Sequence, residues 1–118
     1  MVRLVASALF GKFVVLLDER DPELSAALRA DLRYLTLHGR DAGLPTVRHR
    51  IQTSEHYPAM SEVRTRTGTT GPVLRTLVVF DSDNVAVCGD KSRAGNAWYE
   101  RAVPAADEMY AKWKEQQQ

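Results

Sequence analysis

The residues best suited to chemistry in this chain are arginines. Five of them, Arg48, Arg50, Arg64, Arg66 and Arg75, fall within residues 48–75 against two acids, Glu55 and Glu62. The local excess is three positive charges, with His49 and His56 nearby. A guanidinium is a permanently charged, planar fork of donors that matches a phosphate group. A second charged group, Asp90-Lys91-Ser92-Arg93, directly follows the apolar strand read over Val85–Gly89, and loops at strand ends often carry function. The pattern is one that would bind a phosphate-bearing partner. Solvated loop charges and an ordinary turn account for it equally well.

The elements that must position these side chains are strands. Met60–Arg66 reads as a strand, Thr67–Gly71 as a turn, Pro72–Phe80 as a long strand, Asp81–Asn84 as a turn and Val85–Gly89 as a third strand. The product is an antiparallel meander. Side chains alternate faces along a strand. Val63 therefore points with Ser61 and Thr65, and Glu62, Arg64 and Arg66 point the other way. If Val63 packs with Leu74 and Val78, the arginines share the opposite face. A turn centred on Thr69 and Thr70 sets Arg64 against Arg75. Pairing Phe80 with Val85 places Val78 beside Val87 and Asp90 beside Arg75. The expectation is a row of Arg64, Arg75 and Asp90 across one open sheet face. Opposed like charges repel, and an anion bound between them removes the repulsion. A hydrated face on which Asp90 screens Arg75 is the alternative. A slip of one residue in register would exchange the faces.

The flanking segments read as helices. Leu9, Phe10, Phe13, Val14, Leu16 and Leu17 follow helical spacing. Asp21 is a good N-cap, with Pro22 at the first helical position of a second helix reaching about Leu37 and Gly39 as its stop. The two helices form an antiparallel pair with one apolar face. Val2–Ala6 is either a short edge strand or the first turn of a helix. Residues 40–60 are irregular. Asn96–Ala102 is helical, and Pro104 opens a further helix through Trp113, because proline is tolerated in a first turn but not deeper. Trp98 and Trp113 at helical spacing are core residues, and His38 lies at a helix end. The expected fold is α+β: one domain over residues 1–118, two N-terminal helices on a small antiparallel sheet, and a C-terminal helical segment.

Composition narrows the function classes. Of 118 residues, 44% are hydrophobic and 26% charged, too apolar a balance for disorder. The net charge of +1 is not that of a strongly basic nucleic-acid binder, so any such site must come from local clustering. The one cysteine, Cys88, has no intramolecular disulfide partner and reads as a buried small hydrophobe. No ligand-spaced His, Cys or carboxylate set points to a metal, and no cofactor is expected. Arg3 and Lys12 interrupt the apolar N-terminal residues, unlike a secretory signal, and no stretch is long enough to span a bilayer. A reducing cytoplasm fits these features.

Glu62-Val63-Arg64, Leu74-Arg75-Thr76-Leu77-Val78-Val79-Phe80-Asp81, Gly89-Asp90-Lys91, Asn96-Ala97-Trp98-Tyr99 and Ala102-Val103-Pro104-Ala105-Ala106-Asp107-Glu108-Met109-Tyr110 together resemble the phage-derived, HigB-like branch of the RelE toxin superfamily. The order and spacing match over residues 60–111. The resemblance implies two helices on an antiparallel sheet whose open face is basic, with Val2–Ala6 as the first strand. It implies a toxin of a type II toxin–antitoxin pair, an endoribonuclease that cleaves mRNA, commonly in the ribosomal A site, and so inhibits translation. The partner it implies is a cognate helix-turn-helix antitoxin, which would cover the arginine face with its flanking Val73, Leu77 and Val79. The alternative is that the chain's own C-terminal helix, Pro104–Trp113, covers those three residues. Arg75 and Arg64 match the basic residues of the central and preceding strands, Lys91 or Arg93 the basic loop, and Tyr99 the tyrosine beyond it. Arg64, Arg75, Lys91 and Tyr99 are thus the candidate catalytic residues, and Arg48, Arg50, Arg66 and Arg93 the candidate RNA-binding ones. The paired lysines of RelE and the histidine-centred site of HigB have no equivalent here. The alternative is a non-catalytic module that binds RNA or protein.

Overall fold

A computed structural model describes residues 2–68, 73–82, 84–87 and 97–116. Its elements are β1 (Arg3–Ala6), α1 (Ala8–Arg20), α2 (Pro22–His38), a short 3-10 turn (Gly39–Asp41), β2 (Val47–Arg48), β3 (Met60–Thr65), β4 (Leu74–Asp81), β5 (Asn84–Val87) and α3 (Ala97–Gln116). The fold is α+β. Among the described residues, no helix is long and apolar enough to cross a membrane.

Local chemistry explains the helix boundaries. Ser7 caps α1, its hydroxyl accepting from the Phe10 amide at 3.1 Å. Asp21 both ends α1 and caps α2, accepting from the Leu24 amide at 3.1 Å, with Pro22 in the first turn. Gly39, at a φ of 56°, ends α2 in a conformation that favours glycine.

The sheet order is β1-β5-β4-β3-β2. Strands β2 to β5 pair antiparallel, but β1 runs parallel to β5, setting Leu4 against Val85. The sheet is therefore mixed rather than wholly antiparallel, and Val2–Ala6 supplies a strand, not a helical turn. The meander has the expected register: Arg64 faces Arg75, Phe80 faces Val85 and Val78 faces Val87.

Alternation then builds two cores. Val63, Leu74, Val78, Phe80, Val85 and Val87 face α1 and α2, packing with Phe10, Leu28, Leu32 and Leu35. Met60, Leu77, Val79 and Ala86 face the other way and pack with Trp98, Val103, Ala106 and Tyr110 of α3. The second face is thus covered, not open. Leu77 and Val79 are fully buried, so they offer no surface to another protein.

Helix α3 runs unbroken through Pro104, where two helical segments were expected. The proline has no N–H to donate to the Glu100 carbonyl, and a proline costs an interior helix about 3 kcal/mol. Buried side chains before and after it, Trp98, Val103, Ala106 and Tyr110, seat both halves on one sheet face. That shared packing outweighs the missing bond.

The irregular segment between β2 and β3 is tied to α3 by Asp107. This carboxylate is 4% exposed. It accepts from the Ser54 hydroxyl at 2.6 Å and the Glu55 amide at 3.0 Å. His56 meets the Tyr110 ring edge-on at 4.7 Å. Replacing Asp107 leaves two donors beside the helix without their acceptor. Asp107→Ala is expected to cost about 2 kcal/mol in denaturant unfolding and to raise amide exchange over residues 51–59 before the sheet exchanges. Unchanged exchange there would show that the segment is held by other contacts.

Candidate functional site

The α3-covered sheet face is apolar at Met60, Leu77 and Val79 and becomes charged toward one end, because β3 and β4 change residue type along that face. On β3 the sequence passes from Met60 to Glu62 to Arg64, and on β4 from Val79 to Leu77 to Arg75. Strand β2 adds Arg48 directly across from Glu62. The first turn of α3 brings Tyr99 over the same place.

Glu62 is the centre of this group. Its side chain is 1% exposed. Arg64 approaches one carboxylate oxygen with Nε at 3.6 Å, and Arg75 approaches the same oxygen at 3.8 Å. The Tyr99 hydroxyl donates to the other oxygen. The Arg75 guanidinium also lies over the Tyr99 ring, 6.0 Å from its centre. Arg64 and Arg75 keep 31% and 20% of their side chains exposed, so each still reaches solvent. The expected repulsion between the opposed arginines is therefore met by a carboxylate of the protein itself. Two guanidinium groups, Arg64 and Arg75, thus approach one carboxylate, and Arg48, across the strand pair, adds its charge beside Tyr99.

Electrostatics at Tyr99 record this crowding. Burial pushes its phenol above the ordinary range, and the hydrogen bond to Glu62 and that carboxylate's charge push it further. Arg75 and Arg48 pull the other way. The net direction is upward, so at neutral pH Tyr99 is a protonated phenol whose proton is held by Glu62.

Beside the cluster, a cleft of about 790 Å³ opens between α3 and the segment leaving β2. Arg48 and Tyr99 line it and so belong to both cluster and cleft. Arg50 stands at its wall with a φ of 63°, its guanidinium 3.3 Å from the Tyr57 hydroxyl and over the Tyr57 ring at 5.6 Å. His49 is turned away from the group: Nε2 donates to the Ala42 carbonyl, and Nδ1 meets the Ser61 hydroxyl at 2.7 Å.

Four of the expected residues, Arg48, Arg64, Arg75 and Tyr99, are thus gathered in one place. Arg50 lies further along the cleft. Arg66 is exposed, one residue past the end of β3, where pairing with β4 has stopped. Lys91 and Arg93, and Asp90 with them, lie outside the described residues. The sequence reading overlooked Glu62 as a member of the site, although alternation already placed it on the same face as Arg64. No family model, curated protein or solved structure matches the chain.

The upward shifts have a measurable consequence. Tyr110 is also raised, by burial and by its hydrogen bond to Asp81, against the pull of Lys114. A group raised in the folded state stabilises the fold below its unfolded value, about 10 for tyrosine, and that contribution is lost as pH climbs through the folded value. Absorbance titration is expected to show a phenol component above the ordinary range that Tyr99→Phe reduces. Unfolding free energy should begin to fall above about pH 10, less steeply in Tyr99→Phe. A Tyr99→Phe titration identical to that of the parent protein would contradict the buried Tyr99–Glu62 bond.

Proposed function

We propose that this chain is an endoribonuclease toxin of the RelE/HigB type, cutting mRNA in the cytoplasm, commonly on the ribosome, and neutralised by a helix-turn-helix antitoxin. The observation that carries this reading is convergence. Arg64, Arg75 and Tyr99, the described residues that the family resemblance marks as catalytic, come from β3, β4 and α3 and meet on Glu62 at a solvent-reaching, positively charged mouth.

The chemistry proposed uses the RNA's own 2′-hydroxyl. Its oxygen attacks the neighbouring phosphorus, the P–O2′ bond forms and the P–O5′ bond breaks, leaving a 2′,3′-cyclic phosphate and a 5′-hydroxyl. The 2′-hydroxyl proton passes to the Tyr99 oxygen as Tyr99 hands its own proton to Glu62. Arg64 and Arg75 stabilise the charge that builds on the non-bridging oxygens. The departing O5′ takes a proton from the Lys91 ammonium or from water, and Arg93, too weak an acid to give one, assists the leaving oxygen by its charge alone.

A second reading has its own support. Glu62 already occupies Arg64 and Arg75, as expected of an ion-pair network that shapes a binding surface without cutting. The two readings differ in what Arg75 and Glu62 do. With purified protein, synthetic mRNA, and ribosomes present or absent, Arg75→Ala is expected to lower cleavage by about 100-fold or more while the circular dichroism spectrum is retained. Glu62→Gln is expected to cost about 2 kcal/mol, less than a fully buried pair because both arginines reach water, and to abolish cleavage at temperatures where it is still folded. RNA bound but left intact by the parent protein would establish the binding module instead.

The antitoxin follows from the same reading, since an unopposed ribonuclease would kill its host. Leu77 and Val79 are covered by α3, so the surface left for a partner at this site is the charged rim of Arg48, Arg64 and Arg75, which suits an acidic segment. Co-expression with neighbouring reading frames is expected to yield a helix-turn-helix protein that co-purifies and restores growth. Harmless expression of the chain alone, with no binding neighbour, would contradict the toxin assignment.

A further inference from the structure

The cleft beside the Glu62 cluster shares Tyr99 with the cutting step but holds further groups that the step does not use. Its basic end holds Arg48 and Arg50, close to where a phosphate would sit. The exposed Pro104 ring and the half-buried Tyr99 ring supply apolar wall over the buried Ile51 and Val103, and Gln52 and Thr53 supply polar side chains. At about 790 Å³ it lies within the range of ligand pockets and exceeds what a phosphate needs. A cationic end, an apolar wall and a few polar groups form the complement of a nucleotide: the phosphate at the arginines, the base against the proline and tyrosine rings, the base edge toward the polar groups.

One wall of the cleft is biased in its hydrogen bonding. Glu100 and Pro104 both line it. The Glu100 carboxylate is an acceptor only. Pro104, four residues on within α3, has no N–H with which to engage the Glu100 carbonyl, so the helical donor that carbonyl would ordinarily have is missing. The Glu100 side chain therefore offers acceptors at this wall and no donor, and Pro104 beside it adds none. A base edge placed there gains most if it carries an amino group, as adenine, cytosine and guanine do. Uracil carries no amino group; its one edge donor, N3–H, is flanked on both sides by carbonyl oxygens that the carboxylate repels.

We infer that this cleft is a nucleobase subsite, next to the cut phosphate, that selects amino-bearing bases over uracil through Glu100. The inference rests on the proposed RNA-cleaving function, and it assigns a specificity-determining role to a residue outside the cutting cluster. Arg50, held over Tyr57 at the cleft wall, is placed to take the flanking phosphate.

The test uses the full chain and hexanucleotides of adenosine, cytidine or uridine carrying 2′-fluoro groups, which have no 2′-hydroxyl and cannot be cut. Fluorescence anisotropy is expected to show adenine and cytosine oligomers binding about tenfold more tightly than the uracil oligomer, the scale of one good base-edge contact. Glu100→Gln adds an amide donor without changing size, at an exposed helix position. It is expected to bring the three affinities together by strengthening uracil binding. Gln52→Leu should weaken all three oligomers by a smaller factor. Equal binding of the three oligomers by the parent protein, or a preference unmoved in Glu100→Gln, would overturn the subsite and leave the cleavage proposal standing. If none of the oligomers binds and cleavage assays are also negative, both fall.

Discussion

A carboxylate sealed almost completely from water between two arginines and a tyrosine is the constraint around which this molecule is arranged. Burying an ionised Glu62 costs several kcal/mol unless its oxygens are engaged. One oxygen faces both guanidinium groups and the other receives the Tyr99 proton. Each partner comes from a different element, so the charge joins β3, β4 and α3, with β2 contributing Arg48 across the strand pair. The same arrangement makes tolerable what the strand pairing would otherwise forbid, two arginines directly opposed on neighbouring strands.

The sheet is built to bring that group to an edge of the core. One face is apolar along its length and takes α1 and α2. The other is apolar only part of the way and takes α3 there. Where Leu77 gives way to Arg75 and Met60 to Glu62, the packing of α3 ends and the charged mouth begins. The Asp107 tie then fixes the segment after β2 against α3, which holds the cleft between them. Position, charge and cleft are therefore consequences of one alternating pattern on two strands and of one helix laid across them.

Much of this was legible in the residues alone. Binary alternation in Met60–Thr65 and Leu74–Asp81, together with the turn between them, set the Arg64–Arg75 register, and capping chemistry at Asp21, Pro22 and Gly39 set α2. What escaped was decided by tertiary packing. A local rule for proline breaks α3 at Pro104, yet the buried side chains on either side of it keep the helix whole. A strand of four residues at the N-terminus reveals neither its partner nor its direction until β5 is beside it. Leu77 and Val79 fit a partner's surface as well as the chain's own C-terminal helix, and only the position of α3 decides for the helix. A total of charges does not reveal Glu62, because its role comes from depth: a carboxylate at 1% exposure between two guanidinium groups is a different chemical object from a surface acid.

The central claim is that this buried charge cluster directs an RNA's own 2′-hydroxyl onto the adjacent phosphate. Sequencing of RNA ends after brief induction of the chain in cells, with libraries that separate 5′-hydroxyl from 5′-phosphate termini, tests it most directly. The account predicts new 5′-hydroxyl ends within coding regions soon after induction. An unchanged set of ends, or new ends carrying 5′-phosphate, would contradict it.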